Sequence, residues 1–380
     1  MMNKRLMTCL AIFSLFSLPA LATSDVDNPE FKKFEAAQKK EFEQYALSVE
    51  EEFSEFVALW QEAEAEYKTK ILSTWQEAKL PTNKVWVGYS KNLNKRTTVD
   101  FEKQELIIEL QRSTNVRQQI EQTVSELTVS SKSQLLVQDP VITKVQTKLK
   151  DSKHKLVIKQ ASEPLIAKQF IATEKQKVTT QKNGIIQIRI PLRSDLLDDN
   201  ARKYFPLAKT YGEKWGLPTP LILAIIHTES SFNPLARSHI PAFGLMQIVP
   251  TSAGKDITKF LNGKVELLPP SVLLQPERNI EAGSVYLHLL FNRYFKGVNE
   301  YKSKLYMSVA AYNTGPGNVA RALTSTKSLT KARAAANQKT SDEIYYQLLE
   351  NLPYQETVKY LDKVIKRTNH YQTILSKEAT

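Results

Sequence analysis

Cysteine is all but missing from this chain: of 380 residues only Cys9 is one. That leaves no disulfide framework and no cysteine-ligated metal. Histidine is scarce too. His154, His227, His239, His288 and His370 show no ligand spacing, and there is no His-Glu-x-x-His, P-loop or Gly-rich dinucleotide pattern. The expectation is no metal and no cofactor. Zinc-finger spacing and an aromatic-basic nucleic-acid signature are absent as well, so nucleic acid is not the expected partner. Long apolar runs are limited to Leu6–Leu18, too short for an ordinary spanning helix. Glycine is rare in the first half: nine of the eleven glycines follow residue 200, so the two halves make different backbone demands.

What is present starts with export. Lys4 and Arg5 precede the apolar run, and Ala20-Leu21-Ala22 is a small-x-small cleavage site, the pattern of a secretory signal peptide cut after Ala22. Cys9 follows Thr8 inside the apolar run, too early for lipid attachment. The expected location is a bacterial periplasm, with the chain soluble or peripheral to the membrane. A net charge of +12 asks for an anionic partner. Hydrophobic content of 42% and charged content of 24% are those of a globular chain with material for a core.

The expected segments are a signal peptide at 1–22, an accessory α+β domain at 23–195 and a mainly α domain at 196–380. Between Pro29 and Pro81 no Gly or Pro interrupts, and Phe42, Tyr45, Val49, Phe53, Phe56, Trp60, Ala63, Tyr67 and Ile71 recur at steps of three and four. This predicts a long helix over 30–80, or a hairpin of two helices, with its surface open to a protein partner. Strands are predicted within 84–110, at Val85–Ser90, Thr97–Phe101 and Leu106–Leu110, with Gly184–Ile190 rejoining them. Arg112–Leu127 has helical composition. Residues 130–182 carry eleven lysines against Asp139, Asp151, Glu163 and Glu174, a basic and solvated stretch. After Pro191–Asp199 come short helices at Asn200–Lys214, Leu221–Ser230, Thr251–Phe260, Pro276–Phe295, Lys304–Tyr312, Ser341–Leu352 and Gln355–Thr368.

One acid stands out. Leu221–Ile226 is apolar on nearly every face and leads into Glu229, where the helix must end before Asn233-Pro234. Burial and the negative end of the helix dipole both favour the neutral carboxyl, so a raised pKa is expected. Ser238, Gln247, Tyr312 and Asn313 add neutral hydrogen-bonding groups, as a sugar cleft requires, and Met246 adds an apolar wall. His227, two residues from Glu229, points elsewhere on a helix. Asp256 and Glu266 are the candidates for a second carboxylate, with nothing to bring them to the cleft.

ESSFNP, AFGLMQIVP, NIEAGSVYL, AYNTGPGNV and LPYQETVKYL, in that order over about 130 residues, resemble the motif set of family 1 lytic transglycosylases. WVGYS and KRTTVDFEKQELIIEL resemble the companion domain of membrane-bound members. The resemblance implies a lysozyme-like catalytic fold of the goose-type and soluble transglycosylase kind, acting on peptidoglycan strands. It implies that Glu229 is the single acid/base. Glu229 would protonate the oxygen between N-acetylmuramic acid and N-acetylglucosamine, then take the proton of the C6 hydroxyl as a 1,6-anhydro ring closes. It places Ser238, Gln247, Tyr312 and Asn313 on the sugar, Met246 beneath it, and Glu356 and Tyr360 at the far wall. Asn-Thr-Gly-Pro-Gly stands where relatives often have Asn-Gly-Gly, which reshapes a subsite. A hydrolytic muramidase and a non-catalytic peptidoglycan-binding scaffold are the alternatives.

Overall fold

The computed structural model describes residues 29–111, 115–148, 163–181, 183–239 and 241–378, with side chains from residue 50 onward apart from Gln146 and Glu378. The expected signal segment and part of the basic stretch lie outside these residues. Residues Met1–Glu51 and Glu52–Thr380 are two compact units, and all packing below lies within the second. Helices dominate, with one antiparallel sheet, an α+β chain as expected.

Helix α1, Pro29–Leu72, is one continuous helix rather than a hairpin. From Phe53 on, its predicted stripe is the buried face: Phe53, Phe56, Trp60, Ala63 and Ile71 are in the core and Tyr67 is half-buried, while the side chains of Phe42, Tyr45 and Val49 lie outside the described residues. It ends before the expected residue 80. Trp75 shows why: its indole N–H donates to the Leu93 carbonyl at 2.7 Å and its ring is buried, which draws the chain off the helix and onto the sheet.

The sheet comprises β1 (Val85–Tyr89), β2 (Lys95–Asp100), β3 (Glu105–Leu110), β4 (Lys177–Thr180) and β5 (Ile186–Pro191), in the order β1-β2-β3-β5-β4. The predicted late strand does rejoin the early ones. Leu106 faces Ile190 and Ile108 faces Ile188, all four fully buried, so hydrophobic pairing fixes the register. β4 is not among the predicted strands. It is a fully exposed edge strand, so it lacks the inside-outside alternation that marks a strand. Helices α2 (Val116–Val129), α3 (Lys132–Val137) and α4 (Pro140–Lys148) follow β3 in the chain. Part of the expected solvated stretch is therefore folded: Val141, Ile142 and Val145 of α4 are buried.

The second half is helical: α5 (Leu196–Trp215), α6 (Thr219–Ser230), α7 (Lys255–Asn262), α8 (Pro270–Leu273), α9 (Pro276–Leu289), α10 (Tyr301–Thr314), α11 (Pro316–Thr324), α12 (Leu329–Ala336), α13 (Ser341–Asn351) and α14 (Gln355–Glu378). α6 packs against α5 and α14. α11 is absent from the predicted helices because Pro316-Gly317 has the composition of a loop, whereas Pro here occupies the first turn.

One apolar core runs through residues on both sides of the expected 195/196 boundary. The Phe243 ring stands edge-on to Trp60 at 5.1 Å and to Phe56 at 6.3 Å. Arg237 places its guanidinium 5.4 Å from the Trp60 ring and its Nη1 3.0 Å from Asp139 Oδ2. Burial of Arg237 is thus offset by the half-buried Asp139 and an aromatic face.

Candidate active site

The site begins with α6. Every residue from Leu221 to Ile226 is buried, so this stretch has no solvent face and Glu229 leaves the core at the helix's C-terminal end. The helix is stopped by conformation. Ser231 (φ 49°) and Phe232 (φ 62°) are consecutive non-glycine residues in the left-handed region, at a cost of roughly 1–3 kcal/mol each. The surroundings hold them there. The Phe232 ring stacks on Tyr204 at 6.3 Å and meets His227 at 5.5 Å. Asn233, fully buried, accepts from Leu235 N–H at 3.0 Å and donates to the Asn83 carbonyl at 3.3 Å. Ser230, also fully buried, donates to the carbonyls of Ile226 and Leu245.

Burial raises the Glu229 carboxyl from the ordinary 4.5 to about 7. The Tyr360 hydroxyl lies close enough to pull it down, Glu356 pushes it up and Lys84 pulls it down. The Tyr360 hydroxyl is buried and completes no hydrogen bond of its own, so it is aimed at the carboxyl without being satisfied by it. Burial and the nearby Glu229 in turn hold the Tyr312 and Tyr360 phenols well above their usual range. Glu356 is exposed. Of the sequence candidates for a second carboxylate, Asp256 accepts from the Tyr294 hydroxyl at 2.7 Å and Glu266 pairs with Lys264 at 2.6 Å. Neither bears on Glu229. His227 turns from the acid as expected: its Nδ1 is 2.9 Å from the Tyr371 hydroxyl, and burial drives its pKa down to about 3. Among the described residues no group of three His, Cys, Asp or Glu stands close enough to hold a metal.

A cavity of about 250 Å³ adjoins this centre, lined by Gln247, Tyr286, Tyr312, Asn313, Thr314 and Gly315 among others. Gln247, Tyr312 and Asn313 thus come together from two distant motifs. Glu229 is not among the lining residues; Tyr312 links the two. Its hydroxyl donates to the Met246 carbonyl at 3.0 Å, and its ring meets Tyr286 at 5.5 Å. Asn313 is oriented by Thr357, which donates to its side-chain oxygen at 2.7 Å. The Ser238 hydroxyl accepts from Ala242 N–H at 3.1 Å and so braces its own turn.

Met246 differs from the expectation of a floor under the sugar. It is fully buried and offers no surface to a ligand. The NIEAG motif explains its position. Asn279 accepts from Met246 N–H at 2.7 Å and donates to the carbonyls of Phe243 and Leu273 at 2.8 and 2.9 Å. Gly283 leaves the space that Met246 fills: a Cβ there would lie 2.4 Å from its sulfur. Gly244, at φ 78°, has no room for a Cβ either, with the Leu273 carbonyl 2.2 Å away. Asn279 and Gly283 therefore set the Gly-Leu-Met-Gln loop against Tyr312. Their motif is visible in the sequence, but their roles need the fold. Asn83 and Lys84 carry no sequence signal at all, since they lie some 145 positions before the acid; Asn83 Nδ2 donates to the Glu229 carbonyl at 2.8 Å.

The Transglycosylase SLT domain family matches residues 206–335, a span that holds Glu229, the Gly-Leu-Met-Gln loop and Tyr312. Membrane-bound lytic murein transglycosylase C of Pectobacterium atrosepticum is 40% identical over 197 residues, 52% of this chain and 54% of that protein. Its counterparts from Serratia proteamaculans and Haemophilus ducreyi are 38% and 37% identical, over 53% and 52% of this chain and 56% and 54% of theirs. The chain spans about half the length of the curated relatives it matches. Among solved structures, the 70 kDa soluble lytic transglycosylase of Escherichia coli is 26% identical, covering 45% of this chain and 24% of that one with a TM-score of 0.35. Residues 206–335 are thus similar to the Transglycosylase SLT domain family, and the three relatives named here are membrane-bound lytic murein transglycosylases C.

Proposed function

We propose that this chain is a peptidoglycan lytic transglycosylase, with Glu229 as its one acid/base and a lysozyme-like fold in residues 196–380. The observation that carries this is a single half-buried carboxyl with a pKa near 7 and, among the described residues, no second carboxylate acting on it but the exposed Glu356. A group that must first give and then accept a proton works best near ambient pH. In its neutral form Glu229 protonates the glycosidic oxygen between N-acetylmuramic acid and N-acetylglucosamine as the C1–O bond breaks. The substrate's own N-acetyl oxygen shares the positive charge at C1. The ionised Glu229 then takes the proton from the C6 hydroxyl, whose oxygen bonds to C1. The 1,6-anhydro ring closes and the carboxyl is neutral again. Hydrolysing glycosidases place paired carboxyls roughly 5–9.5 Å apart to attack C1 or activate water; a lone carboxyl suits attack from within the sugar.

Gln247, Tyr312 and Asn313 serve as sugar-binding groups on the cavity wall, Ser238 on its neighbouring turn, and Glu356 and Tyr360 at the opposite face. Residues 23–195 act as an accessory domain to the catalytic one. The expected place of action is the periplasm, at a glycan whose stem peptides carry the negative charge that complements +12 on the protein. Among the described residues no helix is long and apolar enough to cross a membrane.

Mass spectrometry of the soluble products from purified peptidoglycan tests the reading. Anhydro ends from the wild type and no release by Glu229→Gln are expected. Reducing ends would make it a muramidase, and undiminished release by Glu229→Gln would remove Glu229 from the chemistry. Binding without any release would make it a scaffold.

A further inference from the structure

The end of α6 poses a problem that the helical half does not solve alone. The last carbonyls of a helix lack partners within it. Because Ser231 and Phe232 adopt left-handed conformations, the chain turns away early, and Asn233 N–H bonds to the Ser230 carbonyl at 2.9 Å instead of the one before it. The Glu229 carbonyl loses that partner. The loop entering β1 fills the place. Asn83 Nδ2 donates to the Glu229 carbonyl at 2.8 Å, and the Asn83 backbone carbonyl accepts from Asn233 Nδ2 at 3.3 Å. One residue thereby grips the acid on one side and the turn after it on the other.

We propose that Asn83, from the N-terminal half, is a positioning residue for Glu229: by clamping the acid's own backbone and the Ser230–Asn233 turn it fixes where the carboxyl points. This rests on Glu229 being the proton donor. Asn83 touches the backbone of the acid, not its carboxyl, and it does not line the cavity, so its influence falls on the geometry of proton transfer and not on sugar binding. The adjacent Lys84 shows that the same loop also reaches the acid electrostatically. The charged and titratable groups acting on Glu229 are Lys84 from this loop, Tyr360 and Glu356 from α14, and Tyr312 from α10. Lys84 is in turn paired with Glu102.

The experiment measures release of soluble muropeptides by the full chain at several substrate concentrations across pH, for wild type, Asn83→Ala, Asn83→Asp and Glu229→Gln. Misplacing a catalytic group by about 1 Å costs up to about a hundredfold in rate. The expected result for Asn83→Ala is a kcat at least roughly tenfold lower with KM within about twofold. Asn83→Asp keeps the size but turns a donor into a charged acceptor against the Glu229 carbonyl. It should lose at least as much kcat, and its rate should fall off at higher pH than in wild type, because the new negative charge favours the neutral acid. Thermal unfolding followed by circular dichroism accompanies each variant. Wild-type kcat in Asn83→Ala overturns the proposal, as does a loss in both variants that merely tracks the unfolded fraction at the assay temperature. If Glu229→Gln keeps its activity, the reading of the acid has failed instead. If Glu229→Gln is dead and Asn83→Ala is normal, only the clamp has failed.

Discussion

Replacing Glu229 by Gln should make the protein more stable, and by an amount that depends on pH. The side chains are nearly the same size, so packing changes little; what changes is charge. Below about pH 4 the folded and unfolded chains both hold the carboxyl mostly neutral, and Glu and Gln are close to equivalent. Between 4.5 and about 7 the unfolded chain ionises while the folded one stays protonated. The folded state binds more protons there, so wild-type stability falls as pH rises. Above about 7 both are ionised and the fold carries the whole cost of a charged carboxyl at the end of a buried helix. Lifting a carboxyl from 4.5 to about 7 corresponds to at most about 3.5 kcal/mol, at roughly 1.4 kcal/mol per pKa unit, reduced by whatever water reaches the group. Urea unfolding of both proteins at about pH 4 and about pH 8 reads this directly. The stability difference should widen by about 2–3 kcal/mol in favour of Gln at the higher pH. A difference that stays flat with pH, or favours Glu at high pH, would refute the desolvation argument and with it the reason for calling Glu229 a proton donor at neutral pH.

Three further perturbations follow from the same geometry. Lys84→Met removes a charge that lowers the Glu229 pKa, so the fall of muropeptide release with rising pH should begin at higher pH than in wild type; a shift to lower pH would contradict the assignment. Gly283→Ala drives a Cβ into the Met246 side chain; urea unfolding should show about 1–3 kcal/mol of destabilisation, and release should fall because Met246 carries the carbonyl that receives Tyr312. Trp60→Ala empties the fully buried place beside Phe243 and Arg237, with an expected loss of about 3–5 kcal/mol by the same measurement; a loss under roughly 1 kcal/mol would mean that the two halves pack independently.

Much of the architecture is legible in the sequence because it rests on periodicity. The α1 stripe from Phe53 to Ile71, the strands around Ile108 and Ile188 and the all-apolar α6 announce themselves by spacing and composition. So does Glu229, because six apolar residues shortly before it bury the helix that carries it and leave it at the edge of the core. The illegible parts are those in which distant segments complete one another. β4 has no buried face to reveal it. Met246 has the character of an apolar wall, and only the Gly283 contact shows that it lies behind the wall. Asn279 spends its side chain on three backbone groups from three different positions, a role that no local pattern encodes. Asn83 belongs to a loop whose meaning depends on where the sheet docks.

The shared core has a consequence for how such a protein can be cut and joined. Phe243 lies in the loop just after the acid, yet its ring is covered by Trp60 and Phe56 from α1, and Arg237 of the same loop takes its counter-charge from Asp139. A fragment beginning at Leu196 would present an uncovered aromatic ring and a cation without its counter-charge on the loop that follows Glu229. The halves are therefore not interchangeable cassettes. Transferring the helical half to another anchor or fusion partner would transplant an unfinished socket, and one that only an α1-like helix bearing both aromatic rings could close.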